Sequence, residues 1–260
     1  MLVAENIHFR VGHTTILSSV SIAVEAGEVV ALCGPNGAGK STLLRIISGE
    51  QEASEGTVLL NGQSLSEWNP KALAQRRAKL SQESELTFSF RASEVIEMGR
   101  FPHDTPSKDA EIITQCMQQV GIEKLANRYY TSLSGGEKQR VHMARVLAQL
   151  TSESDGPKLL LLDEPTSALD LMHQEIALEL AHTLCKEQGI AVVVVLHDLN
   201  LAAAWADRIL MMKTGSIRFH GTPREVLTQR VLEEIYGIGV LVLEHPQTGR
   251  PIITIDRSRS

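Results

Sequence analysis

The sequence predicts an α/β fold with a mostly parallel sheet, an N-terminal antiparallel β segment and an inserted helical subdomain. Three observations carry this expectation. The apolar runs Lys158-Leu-Leu-Leu-Leu-Asp163 and Ile190-Ala-Val-Val-Val-Val-Leu196 are the kind that parallel strands covered on both faces require. Each precedes a helical pattern, and strands alternating with helices build a parallel sheet through right-handed crossovers. Beyond Lys79-Leu-Ser-Gln82 the strand signals thin out and helical ones take over.

Taken in order, Leu2 to Phe9 and Ser19 to Val24 read as β segments, and a Gly27-Glu28 turn leads into the buried strand Val29 to Cys33. A helix beginning near Lys40 continues from Thr42 to Ser48, with Gly49 as its stop. Gly56 to Asn61 is a strand ending in an Asn-Gly turn. Short helices follow at Ser93 to Gly99, Asp109 to Val120 and Ile122 to Ala126, separated by Pro102, Pro106 and Gly121. Lys138 to Leu150 is helical, and so is Leu171 to Glu187, with Met172, Ile176, Leu180 and Leu184 on one stripe. A helix from Leu199 and a strand from Arg208 to Met212 complete the core. Beyond Thr222 come one or two helices and the β-like Pro251 to Ile255, too little for another domain. The expected organisation is a single domain over 1–260. Residues 1–82 and 151–235 form its α/β core, 83–150 the helical subdomain, and 236–260 a short C-terminal extension.

The loop after Cys33, Gly34-Pro35-Asn36-Gly37-Ala38-Gly39-Lys40-Ser41-Thr42, has the spacing of a phosphate cradle. Glycines at 34, 37 and 39 let the backbone wrap an anion with its N–H groups exposed, and the following helix aims its positive end at the same place. Lys40 adds a charge for the β- and γ-phosphates. Ser41 offers its hydroxyl to Mg²⁺, and Thr42 reaches neighbouring phosphate oxygens. Such a match arises by accident in about one chain of this length in a hundred, so the residues point to ATP or GTP.

Asp163-Glu164 ends an apolar strand, which puts two carboxylates at the sheet edge where the loop also lies. Asp163 suits holding Mg²⁺, and Glu164 suits polarising the water that attacks the γ-phosphate. Leu133-Ser134-Gly135-Gly136-Glu137 makes a second glycine-bearing helix N-terminus and hence a second anion site. One nucleotide cannot easily use both sites of one molecule, so a second copy of the chain is expected to press Ser134, Gly135 and Gly136 onto the γ-phosphate held by the first.

These residues resemble the ATP-binding cassette family over nearly the whole chain. Gly34 to Thr42 matches its Walker A loop, Gln82 its Q-loop, Leu133 to Glu137 its signature motif, Leu160 to Glu164 its Walker B strand, Ser167 to Asp170 its D-loop and His197 its switch histidine. The resemblance implies a P-loop NTPase core and an ATPase working with ATP and Mg²⁺ as a head-to-tail homodimer. It assigns catalytic roles to Glu164, His197 and Gln82, and metal contacts to Ser41, Gln82 and Asp163. The family places an adenine-stacking aromatic where this chain has Val11, so no stacking residue is assigned.

The length bounds the chain to one large domain or two modest ones, and 43% apolar with 22% charged residues is an ordinary globular balance. A formal charge of −6 argues against a nucleic-acid partner. No run approaches the 18 to 20 or so apolar residues that span a bilayer, and the N-terminus lacks a secretory pattern. Three cysteines without C-x-x-C spacing are expected as buried free thiols.

Within the family, separate membrane subunits are therefore expected: two integral permeases, with a periplasmic substrate-binding protein acting indirectly and this chain on the cytoplasmic face of the inner membrane. Thr87 to Arg100, followed by Phe101-Pro-His103, resembles the corresponding segment of importers of iron-siderophores, vitamin B12 and haem, and the whole chain looks most like the haem group. The alternatives are the same motor for siderophore or B12 import, or a soluble ATPase acting on nucleic acid. His8, His13, His103 and His142 are expected at the surface or packed, not as haem ligands.

Overall fold

A computed structural model describes residues 1–81, 86, 88–152, 156–167 and 169–256. Its centre is a six-stranded sheet in the order β10-β9-β3-β8-β7-β6. Here β3 is Val29–Cys33, β6 Arg77–Leu80, β7 Leu159–Asp163, β8 Ala191–Val195, β9 Arg208–Lys213 and β10 Ser216–Gly221. All neighbours are parallel except β9 and β10.

Alternation across this sheet explains the unbroken apolar runs. Val29, Ala31, Leu160, Leu162, Val192 and Val194 enter one core. Val30, Leu32, Leu159, Leu161, Val193 and Val195 enter the other. Because both faces are covered, no strand position can be polar without a cost.

One face packs on α1 (Lys40–Ile47) and on a four-stranded antiparallel sheet, β2-β1-β4-β5. Its strands are β1 Leu2–Val11, β2 Thr14–Val24, β4 Glu55–Leu60 and β5 Gln63–Ser64. Asn61 and Gly62, with φ 54° and 81°, make the expected turn.

The other face carries α6 (Leu171–Gln188), α7 (Leu199–Trp205) and the helical subdomain. That subdomain contains α3 (Ala92–Glu97), α4 (Pro106–Gln119) and α5 (Gly135–Leu150), and α2 (Pro70–Arg76) precedes β6. Beside its apolar interior lies a buried ionic cluster. The buried Arg100 guanidinium pairs with Asp109 at 2.8 Å and donates to Thr105 Oγ1 at 2.9 Å and to Ala148 O at 2.6 Å. Gly99 lets the chain come this close to α5, since a Cβ there would stand 2.2 Å from Arg145 O.

Three features depart from the sequence reading. The buried face of α6 is Leu178, Ala181, Leu184 and Cys185, whereas Met172 is 71% exposed. Asp170 caps this helix at the surface, so its first turn extends past the core and the stripe begins later. β6, β10 and β11 (Val240–Glu244) are short strands that the sequence reading leaves out; β6 and β10 are the edges of the main sheet, and β11 lies outside it. β11 pairs with β12 (Pro251–Ile255) after the short helices α8 (Pro223–Val226) and α9 (Gln229–Tyr236). The helix expected from Ile122 to Ala126 is a single 3₁₀ turn, Glu123–Leu125.

Cys33, Cys116 and Cys185 are free and buried. Burial pushes the Cys33 thiol up to about 12 and those of Cys116 and Cys185 up to about 11.

Candidate active site

Register brings the functional strand ends together. Both Leu32 of β3 and Asp163 of β7 stand opposite Val195 of β8. The residues that follow, Gly34, Glu164 and His197, therefore emerge along one carboxyl edge. A cleft of about 360 Å³ lies there, lined by Asn36 to Thr42, Glu164, His197 and Ile16 of the antiparallel sheet.

The loop is fixed from beneath. Gly34 (φ 140°) passes so close to β9 that a Cβ would meet Met212 O at 2.2 Å, and at Gly39 (φ 98°) one would meet Leu17 Cδ2 at 2.7 Å. Only glycine satisfies both positions. Gly215 N donates to Ala38 O at 3.1 Å, and Ala38 N donates to Pro35 O at 3.2 Å. Lys40, 5% exposed, donates to Gly34 O at 2.8 Å and Pro35 O at 3.0 Å. An ammonium has three donors, so this arrangement aims a further one at the cleft. Burial lowers the Lys40 pKa, and nearby Glu164, Cys33 and Asp163 oppose that shift.

Asp163 is 7% exposed, and burial raises its pKa against the opposing Lys79 charge and the Ser41 hydrogen bond. Ser41 Oγ donates to Asp163 Oδ1 at 3.4 Å. A hydroxyl and a carboxylate held this close form a donor set suited to a hard cation. Glu164 adopts φ 51°, which is costly for a residue with a Cβ and persists where surroundings enforce it. Ser167 enforces it, donating its N–H at 3.2 Å and Oγ at 3.1 Å to Glu164 O. His197 Nε2 lies 2.5 Å from Glu164 Oε1.

The second glycine-bearing helix N-terminus stands on the helical subdomain. Ser134 caps α5 through a reciprocal pair, Glu137 N to Ser134 Oγ at 3.3 Å and Ser134 N to Glu137 Oε2 at 2.8 Å. The helix starts at Gly135, three residues before the expected Lys138, because this box organises its first turn. N–H groups of Gly135 and Gly136 point out of the helix end.

Walker-type residues Gly34 to Thr42, Asp163, Glu164 and His197 are thus brought together, while Ser134 to Gly136 belong to a separate element. Gln82 lies outside the described residues. Val11 is exposed at the β1–β2 turn, and Phe9 is half-buried against the core. His142 is buried with its Nε2 2.8 Å from Tyr130 Oη, and His103 Nε2 lies 2.8 Å from Gln149 O. Both are packed as expected.

Sequence reading missed three neighbours of the site. Lys79, on the edge strand β6, pairs with Glu50 at 2.6 Å and biases Asp163 toward ionisation. Gln139 Nε2 donates to Pro165 O, and Gln174 Nε2 donates to Thr166 O at 3.1 Å and Leu169 O at 3.2 Å. Only recognition of β6 as a strand would have placed Lys79; the glutamines carry no sequence signal.

A strand, phosphate loop and helix opposite an acidic strand end define a P-loop nucleoside triphosphatase. The family model for ABC transporters matches residues 17–167, and the chain belongs to that family as one of its ATP-binding ATPases. It is 50% identical to the hemin import ATP-binding protein HmuV of Plesiomonas shigelloides, over 94% of this chain and 98% of that protein. With the hemin import ATP-binding protein of Pseudomonas aeruginosa the identity is 46%, over 97% and 99%. Among solved structures, one described as a metal-chelate type ABC transporter in an inward-facing conformation aligns with TM-score 0.82 and 27% identity, covering 99% of this chain and 97% of that one. A dimeric ATP-binding cassette in a post-hydrolysis state with ADP and Pi aligns at 0.76 and 29%, covering 85% and 98%.

Proposed function

We propose that this chain is the ATP-hydrolysing motor of a haem (hemin) importer. The observation that carries the reading is end-to-end similarity to hemin import ATP-binding proteins, joined to a cleft in which Lys40, Ser41, Asp163, Glu164 and His197 converge. Among the described residues no helix is long and apolar enough to cross a membrane, which fits a motor working on separate permease subunits at the cytoplasmic face of the inner membrane. A periplasmic binding protein would deliver the substrate to those subunits.

Two copies would sandwich two ATP molecules, each between one protomer's Gly34 to Thr42 loop and the other's Ser134, Gly135 and Gly136. Mg²⁺ would be held by Ser41 and Asp163, with Gln82, and supplies charge neutralisation at the β- and γ-phosphates. Lys40 holds the phosphate chain. The Glu164 carboxylate takes the proton of the attacking water, and His197, bonded to Glu164, fixes that carboxylate and faces the γ-phosphate. Contacts from Ser134 to Gly136 exist only in the closed dimer, so ATP favours closure by that difference alone. Closure moves residues 83–150, which pass the motion to the permeases.

Haem is favoured over a siderophore or vitamin B12 by the relatives, while the likeness to a metal-chelate type transporter keeps the wider class in view. The discriminating experiment co-expresses the chain with candidate permeases in proteoliposomes and measures ATPase activity with binding protein carrying haem, siderophore or B12. Stimulation by haem alone is expected; stimulation by another cargo alone reassigns the substrate.

A further inference from the structure

We propose that Gln139 and Gln174 are positioning residues that link occupancy of one ATP site to the catalytic glutamate of the other, an inference that rests on the two-protomer reading above. Gln139 lies on α5 little more than a turn beyond Ser134 to Gly136, the end that meets the partner's nucleotide. Its Nε2 donates to the carbonyl of Pro165, the residue directly after Glu164. Gln174, on α6, holds the same turn from the opposite side through Thr166 O at 3.1 Å and Leu169 O at 3.2 Å.

Gly136 also lies beside this turn, since a Cβ built there would stand 3.5 Å from Leu169 Cδ2. The helix that touches one nucleotide is therefore fastened to the turn that shapes Glu164, and Glu164 serves the nucleotide bound by its own chain.

Glu164 sits in a backbone conformation that its surroundings must hold, at φ 51°. A displacement of α5 against a γ-phosphate pulls on the Pro165 carbonyl and changes that hold. Among the described residues, Gln139 Oε1 is buried with no hydrogen-bond partner. Half-satisfied buried amides call for an explanation beyond stability, and a mechanical link supplies one. In a twofold dimer the link is mutual: each site senses the other's occupancy through its own chain's α5.

The test uses the intact chain and Gln139→Met, which preserves length and removes the donor, with Gln174→Met as a second variant. For the intact chain, ATPase activity against ATP concentration is expected to give a Hill coefficient near 2, the number of sites. In Gln139→Met the coefficient should fall toward 1 and kcat roughly tenfold, with the half-saturating ATP concentration little changed. Gln174→Met should shift both in the same direction by less. A lower melting temperature with the intact Hill coefficient and kcat would reduce both residues to structural roles and overturn the inference. ATP-dependent dimerisation is measured in parallel on Glu164→Gln with and without Gln139→Met. Dimers in both, with the coefficient lowered, support the link; no dimer even with Gln139 present would sink the two-protomer reading and this inference with it.

Discussion

Two glycine turns in this chain open helices and present backbone N–H groups by the same chemistry, yet they are embedded differently. In the loop from Gly34 to Gly39, Gly34 and Gly39 are pressed against Met212, Leu17 and Ile16, while Gly37 has open space around it and is required by its φ of 76°. Gly135 has nothing within 4 Å of where a Cβ would be, and Gly136 meets only Leu169. The first turn is shaped by what lies inside the molecule. At the second, internal packing gives little reason for glycine, and the two-protomer reading proposed above supplies one: a partner surface that approaches the helix end closely.

That contrast can be broken or sharpened by substitution. The largest effect is expected at the chemistry itself, where Glu164→Gln should lower turnover by about 10²–10⁴-fold while keeping ATP binding and stabilising an ATP-dependent dimer. Rapid hydrolysis by this variant, in a phosphate-release assay, would remove Glu164 from the role of base. Lys40→Ala should weaken ATP binding by about 1.5–3 kcal/mol, roughly 10- to 150-fold, as read by calorimetry. Gly34→Ala should destabilise the chain by at least about 1–3 kcal/mol, because backbone on a central strand must move; a denaturant titration reads this, and an unchanged midpoint would contradict the crowding.

Asp163→Asn should abolish Mg²⁺-dependent turnover without lowering the melting temperature of the ATP-free chain. The sign follows from burial, which raises the Asp163 pKa in the fold. The protonated form is favoured there, so its stability contribution is complete below the ordinary carboxylate pKa and is lost as pH rises through the raised value. The amide removes that loss, and the variant's melting temperature should fall less between acid and neutral pH. Gly135→Ala gives the smallest stability change, about 0.5–1 kcal/mol in favour of folding, since alanine suits a helix better than glycine. Its ATPase activity and ATP-dependent dimerisation should nevertheless drop. If they do not, the second turn has no outside partner and the contrast fails.

Much of this architecture was legible because the physics is local. Leu159–Asp163 and Ala191–Val195 must be covered on both faces, so their apolar runs announce a parallel sheet. Gly34 to Thr42 and Asp163-Glu164 are short motifs whose spacing encodes their chemistry. The departures arose where tertiary context decides. β6 is an edge strand of four residues, so Arg77–Leu80 alternates over too few positions to stand out. Gln139 and Gln174 gain meaning only from the carbonyls that they reach. Burial along α6 depends on where the sheet beneath it begins, which spacing alone does not reveal.

The three cysteines described above have a practical consequence. With every native thiol enclosed and held in its protonated form, alkylating reagents and mild oxidants should pass the folded chain by. A single cysteine engineered at an exposed position could then carry a fluorophore or spin label without first stripping the protein of its own, and opening and closing of the dimer could be followed by distance in real time.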